Sequence, residues 1–163
     1  MHVRVATNAS SNDGISSSYA ALPLNCVTNV RVEALGRQLH LYLNNTLDSA
    51  IFLSGDRVYG DAILYVSDPW HPAAIGTISP IELDQICELT QDAVHTSTST
   101  LSRFLTFNRT TVPENYSLSF DITPTGISSV WTNILHYTKD NSDGGAAGGR
   151  MPGKIFLTAT NNI

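Results

Sequence analysis

The sequence predicts an all-β fold, a two-sheet antiparallel jelly-roll sandwich, on three observations. Tyr116, Leu118, Phe120 and Ile122 alternate with Ser117, Ser119, Asp121 and Thr123, a period of two that puts four apolar side chains on one face of a strand. Pro124-Thr-Gly126 then breaks the run before a second β-rich stretch, Trp131–Tyr137. Similar short runs recur about every ten residues along the chain, each bounded by turn residues.

In chain order the strands are predicted as follows. His2–Ala6 places Val3 and Val5 on one face, and Val27–Ala34 does the same with Val30, Val32 and Ala34. Gly36-Arg37 reads as a tight hairpin turn into Gln38–Leu43, where Leu39, Leu41 and Leu43 share a face. The Asn44-Asn45 turn precedes a strand at Ala50–Leu53, and the Gly60-Asp61 turn precedes Ala62–Val66. Ile75–Leu83 follows the Asp68–Pro72 loop, and Phe104–Phe107, Tyr116–Thr123, Trp131–Tyr137 and Lys154–Thr158 complete the set. Two stretches break the rhythm. Ile86, Leu89 and Val94 have loosely helical spacing, which predicts a short helix around 84–94, and 95–100 (HTSTST) reads as a linker. Residues 141–149 (NSDGGAAGG) read as a glycine-rich loop.

A chain of 163 residues holds one domain with a sizeable core, so residues 1–163 are taken as a single unit. Only 14% of it is charged while hydroxyl and amide side chains abound, a surface suited to an extracellular or cell-surface protein. The net charge of −5, with no Lys/Arg cluster, argues against nucleic acid as a partner. No apolar run is long enough for a membrane helix, which argues against membrane insertion. No leader-like segment precedes His2, so a secreted form would be a mature fragment or an excised domain. Four N-x-Ser/Thr sequons, at Asn8, Asn44, Asn108 and Asn115, point to glycosylation and secretion. Cys26 and Cys87 permit one disulfide or two separate thiols.

The strands, with the runs DITPTG, WTNILHYT, GGRMPG and LYVSDPWH, resemble the laminin-G/concanavalin-like β-sandwich superfamily, closest to repeats of extracellular proteins. The resemblance implies the sandwich fold and a different order of strands. The chain opens on MHVRVAT, which matches a mid-domain strand, and closes on KIFLTATNNI, which matches the strand before it. Joining the ends reads as a hairpin, so the order fits a circular permutant or a slice of a tandem array, and Lys154–Thr158 is expected to pair with His2–Ala6.

Three segments carry candidate chemistry. Asp68-Pro-Trp-His71 combines a carboxylate, an indole and an imidazole. Trp70 would stack on a sugar ring while Asp68 and His71 bond its edge, or else Trp70 covers the end of the core and Asp68 caps the turn. Asp140, Asn141 and Asp143 offer oxygen ligands that suit calcium, or form a solvated loop, with Asp61 joining them if the fold brings it close. Arg150 would fork onto a carboxylate of a ligand or of the protein itself. The loops 68–72 and 141–149 are expected at one rim.

Catalysis finds little support in the sequence. Glu82-Leu-Asp84 lacks the third acid of an E-x-D-x-E strand, and His2, His40 and His136 fall within predicted strands without a metal-ligand spacing. The expectation is a non-catalytic extracellular module for adhesion or glycan binding, its partner a glycan or an extracellular protein, with no cofactor beyond the calcium considered above. The alternative is a structural unit that assembles with tandem copies of itself. A glycan hydrolase or lyase is the third reading.

Overall fold

A computed structural model describes residues 1–86, 91–95, 98–102, 106–139 and 154–157. These residues form strands and turns with no helix among them. One sheet has six strands in the order β11 (Thr106–Val112), β6 (Gly60–Val66), β13 (Thr132–Thr138), β14 (Lys154–Leu157), β1 (His2–Val5) and β2 (Asp13–Ser16). The other runs β10 (Ser99–Thr100), β7 (Gly76–Ile78), β12 (Tyr116–Pro124), β3 (Thr28–Leu35), β4 (Gln38–Leu43) and β5 (Thr46–Phe52). Beside β7, β8 (Ile81–Gln85) also pairs with β12 and carries β9 (Gln91–His95). All these ladders are antiparallel, and the sheets remain open rather than closing into a barrel.

One apolar core draws on both sheets. The first contributes Val3, Val5, Leu64, Val66, Leu135 and Ile155, and the second Val30, Val32, Leu39, Leu41, Leu118, Phe120 and Ile122. In β3, β4 and β12 the burial alternates residue by residue, as the period of two requires. Pairing with β3 seats Leu118 opposite Val32 and Phe120 opposite Val30, so the apolar alternations of neighbouring strands coincide. Both hairpin turns are held by backbone that favours Gly and Asn: Gly36 has φ +54°, and Asn44 and Asn45 have φ +50° and +61°.

Lys154–Leu157 pairs with His2–Val5, with His2 opposite Phe156 and Arg4 opposite Lys154, so the two terminal strands adjoin within the six-stranded sheet. Three expectations are corrected. The predicted helix around 84–94 is a hairpin: Ile81 and Leu83 are buried on one side of β8, and Asp84 pairs with Gln91 of β9. The apolar spacing that suggested a helix began too late and missed the alternation of Ile81 and Leu83. The segment 95–100 supplies strand at both ends, in β9 and β10. The run Ile75–Leu83 is two strands, because Pro80 has no N–H to give to a ladder. There the Ser79 N–H donates to the Asp121 carbonyl (2.9 Å) and the Ser79 hydroxyl accepts from the Asp121 N–H (2.7 Å), so β12 changes partner from β7 to β8 without losing its bonds.

Phe120 is fully enclosed on the inner face of β12, and Phe120→Ala is expected to lower unfolding free energy by about 3–5 kcal/mol in urea titration. A loss under about 1 kcal/mol would mean the register of β12 is wrong.

Candidate functional site

Strand β6 ends at Val66, and Ser67 takes φ +64°, turning the chain back over the outer face of its own sheet. The Ser67 N–H donates to the Ile134 carbonyl (2.9 Å), and the Asp68 N–H donates to Asn133 Oδ1 (2.9 Å). The Asn133 N–H then donates to the Pro72 carbonyl (2.9 Å), and its own carbonyl accepts from the Ala74 N–H (3.1 Å). The loop thus lies along β13, which explains why β13 is buried at every residue rather than at every second one.

Asp68 is completely enclosed in this loop. Its Oδ1 accepts the N–H groups of Trp70 (3.0 Å) and His71 (2.8 Å), the Asx turn allowed by the sequence. Its Oδ2 accepts from Nδ1 of the fully buried His136 (2.9 Å), and His71 Nδ1 lies 3.2 Å from Oδ1. A carboxylate only accepts, so both imidazoles carry their proton on Nδ1. Trp70 lies edge-on above Tyr65 and His136, ring centroids 5.5 and 5.3 Å apart, and closes this network. Burial, then the Asp68 charge, pushes the Tyr65 phenol up.

Of the residues expected to meet a ligand, Asp68 is therefore beneath the surface and committed to its own loop. Trp70 is half-buried as a cover, and His71 is only partly open. The His136–Asp68 pair has the geometry of a base and its orienting acid, but His136 has no exposed surface for a substrate to reach. Arg150, Asp140, Asn141 and Asp143, and with them the expected rim and calcium site, lie outside the described residues, as does Cys87. Cys26 is exposed and free. Asp61 accepts from the Thr111 hydroxyl (2.6 Å), and no cluster of His, Cys, Asp or Glu among the described residues could hold a metal. Glu82 and Asp84 sit two apart on β8, where burial and then the Glu82 charge raise the Asp84 carboxyl. Asn8 and Asn44 are exposed in turns, whereas Asn115 is half-buried with its Oδ1 accepting the Gly36 N–H (2.8 Å). Asn108 lies on β11, opposite Leu64.

Two surfaces that the sequence did not single out remain. The first is an open groove of about 480 Å³ lined by Tyr59, Gly60, Leu83, Gln85, Thr111, Val112, Pro113 and Glu114. Tyr59 is 51% exposed, and Gln85, Thr111 and Glu114 bring an amide, a hydroxyl and a carboxylate to the same groove. Its volume falls within the range of small-molecule sites. The second, of about 90 Å³, is too small for a sugar ring and is walled by Met1, Leu22, Leu24, Ile75, Ile127 and Leu157, with no ionisable side chain in its lining. Exposed Leu24, Ile75 and Ile127 make this end apolar, and exposed Val130 and Trp131 follow Ile127 in the chain. Gly126 makes the close approach: a Cβ there would meet Ile75 Cγ2 at 2.8 Å.

Trp131 stacks on His2 (centroids 4.7 Å apart), whose Nδ1 accepts from Arg4 Nη2 and lies 2.7 Å from Ser16 Oγ. Burial, the N-terminal amine and Arg4 together pull His2 from 6.5 down to about 4.

Comparison with protein-family models, with curated proteins and with solved structures finds no match to this chain.

Trp70→Ala should cost about 3 kcal/mol or more in stability, because it uncovers Tyr65 and His136. Asp68→Ala, which leaves two buried N–H groups and a buried imidazole without their acceptor, should cost about 3–5 kcal/mol. Unchanged urea midpoints in both variants would remove the network from the stability of the fold.

A histidine whose folded value is depressed stabilises the fold fully above its ordinary value and loses that contribution as the unfolded chain takes up protons. Stability should therefore decline as pH falls from about 6.5 towards about 4, and His2→Gln should flatten that part of the curve. An NMR titration of the His2 ring with a midpoint near 6.5 would contradict this.

Proposed function

We propose that the chain is a non-catalytic glycan-binding module of the laminin-G/concanavalin-like jelly-roll type that works outside the cell, and that its binding site is the Tyr59 groove rather than the Trp70 loop. The observation that carries the reading is the groove itself: an exposed aromatic ring bordered by an amide, a hydroxyl and a carboxylate. A sugar presents C–H faces to a ring and hydroxyls to polar edges, which is the division of labour these side chains offer. Tyr59 supplies the stacking surface, Glu114 and Gln85 the edge contacts, and Leu83, Val112 and Pro113 an apolar floor. The pairing of the terminal strands, as in a hairpin, supports the family resemblance in either of its two orders, a circular permutant or a slice of a tandem array.

A second reading, adhesion to an extracellular protein, is favoured by the uncharged apolar end around Leu24, Ile75 and Ile127. A shallow patch of that kind suits a flat protein surface better than a sugar.

The two are separated on a glycan array and an immobilised panel of extracellular proteins. Tyr59→Ala is expected to abolish glycan retention with the melting temperature unchanged, while Ile127→Asp leaves glycan retention intact. Retention on proteins that is lost only in Ile127→Asp, with no glycan bound, would replace the first reading by the second.

A further inference from the structure

We propose that the end of the sandwich formed by the β2–β3, β6–β7 and β12–β13 loops rests on a lipid surface, the interfacial layer of a zwitterionic phosphatidylcholine bilayer, with no segment spanning it. Residues 14–30, 72–81 and 122–138 contain no Asp, Glu, Lys or Arg, although 14% of the whole chain is charged. The fold brings these three stretches together. The Asn25 N–H donates to the Pro124 carbonyl (2.7 Å), and the Thr125 N–H donates to the Ile75 carbonyl (2.9 Å). Gly126, with no side chain, lets the β12–β13 loop close on Ile75. Leu24, Ile75 and Ile127, one from each loop, stand exposed around the small cleft between them.

Charge decides between a lipid and a protein on this face. A protein interface is depleted of charge at its core and tolerates it at the rim, whereas a hydrocarbon boundary penalises a charge on any side chain that enters. Here the aliphatic residues are flanked in their own loops by Ser18, Ser128 and Ser129, not by ionised groups. Exposed Tyr19 and Trp131 adjoin the lining residues Ala20 and Thr132, and such amphipathic rings favour the headgroup level of a bilayer. The charges that adjoin this end are one of each sign. Asp48 accepts from the Ser18 N–H and hydroxyl, and Arg4 meets the His2 ring on which Trp131 stacks. The end is therefore near neutral, and the chain as a whole, at −5, is repelled by anionic lipid, so the matching headgroup is zwitterionic.

The test uses the full chain and vesicles of phosphatidylcholine alone. The protein is expected to float with the vesicles equally at low and high salt, because no ion pair carries the contact. Brominated acyl chains should quench Trp131 and leave Trp70, a half-buried cover over Tyr65 and His136, bright. Trp131→Phe should keep flotation and lose the quenching. Ile127→Asp and Leu24→Asp should each lower partitioning by about ten-fold or more at an unchanged melting temperature, since binding scales with the apolar area buried. Absence of flotation would overturn the proposal, as would binding that requires anionic lipid or quenching that persists in Trp131→Phe. Retention on immobilised extracellular proteins without flotation, lost in Ile127→Asp, would also overturn it and give this end to a protein partner.

Discussion

A slip of β12 by one residue would turn Tyr116, Leu118, Phe120 and Ile122 out of the core and Ser117, Ser119, Asp121 and Thr123 into it. The larger sheet depends on that register more than on any other, because β12 is bonded along both edges. One edge is taken wholly by β3, and the other is shared by β8 at its start and β7 at its end. Where the shared edge changes hands, Ser79 gives and receives a bond at Asp121 and fixes the junction. A register that satisfies β3 but not this junction would leave buried backbone groups unpaired, at about 1–3 kcal/mol each.

Asp68 and Arg57, both buried at the edges of this apolar frame, each tie loops to sheets. Asp68 gathers backbone N–H groups and two imidazoles, and so folds its loop over the outer face of β13. Arg57 does the converse, giving its N–H groups to carbonyls at the β3–β4 turn and the β11–β12 turn, while its own backbone bridges to Thr7. Breaking either set leaves a buried charge or buried amides uncompensated, which costs more than the intact contact contributes. These are the positions where a fold of short strands, each weak alone, is held to one arrangement.

Most of the strands that the sequence makes legible are those whose burial alternates. β1, β3, β4 and β12 lie where alternation placed them. β14 falls within its predicted run, and β13, buried throughout, is shifted by one residue, with Trp131 left outside the strand. What escapes notice are β2, β9, β10 and most of β11, strands at or near the sheet margins. β2, for instance, has Ile15 as its one buried residue, and backbone ladders need no side-chain pattern to form. At Asp68 the local half of the site is legible, since an Asx turn involves residues two and three positions on. Its burial is not, because that is decided by His136, 68 residues away in the chain. Arg57 carries no local signal at all. Its acceptors are set by turns 21 and 57 residues distant.

Arg57 also connects the interior to the groove. Its Nη2 holds the carbonyl of Glu114, whose residue lines the groove, and Tyr59 follows Arg57 by two positions. The buried guanidinium thus fixes the backbone on two sides of a surface whose Tyr59, Thr111 and Glu114 side chains are open to water. Tyr59 and Glu114 can therefore change without disturbing the core, whereas Arg57 cannot. That separation matters for a shallow site. On the proposed glycan reading, ring stacking and edge hydrogen bonds to a sugar are each weak, so their sum is useful only if the walls are already in place when the ligand arrives. A charge buried behind the groove, bonded to backbone rather than to a mobile carboxylate, supplies that rigidity without occupying the surface.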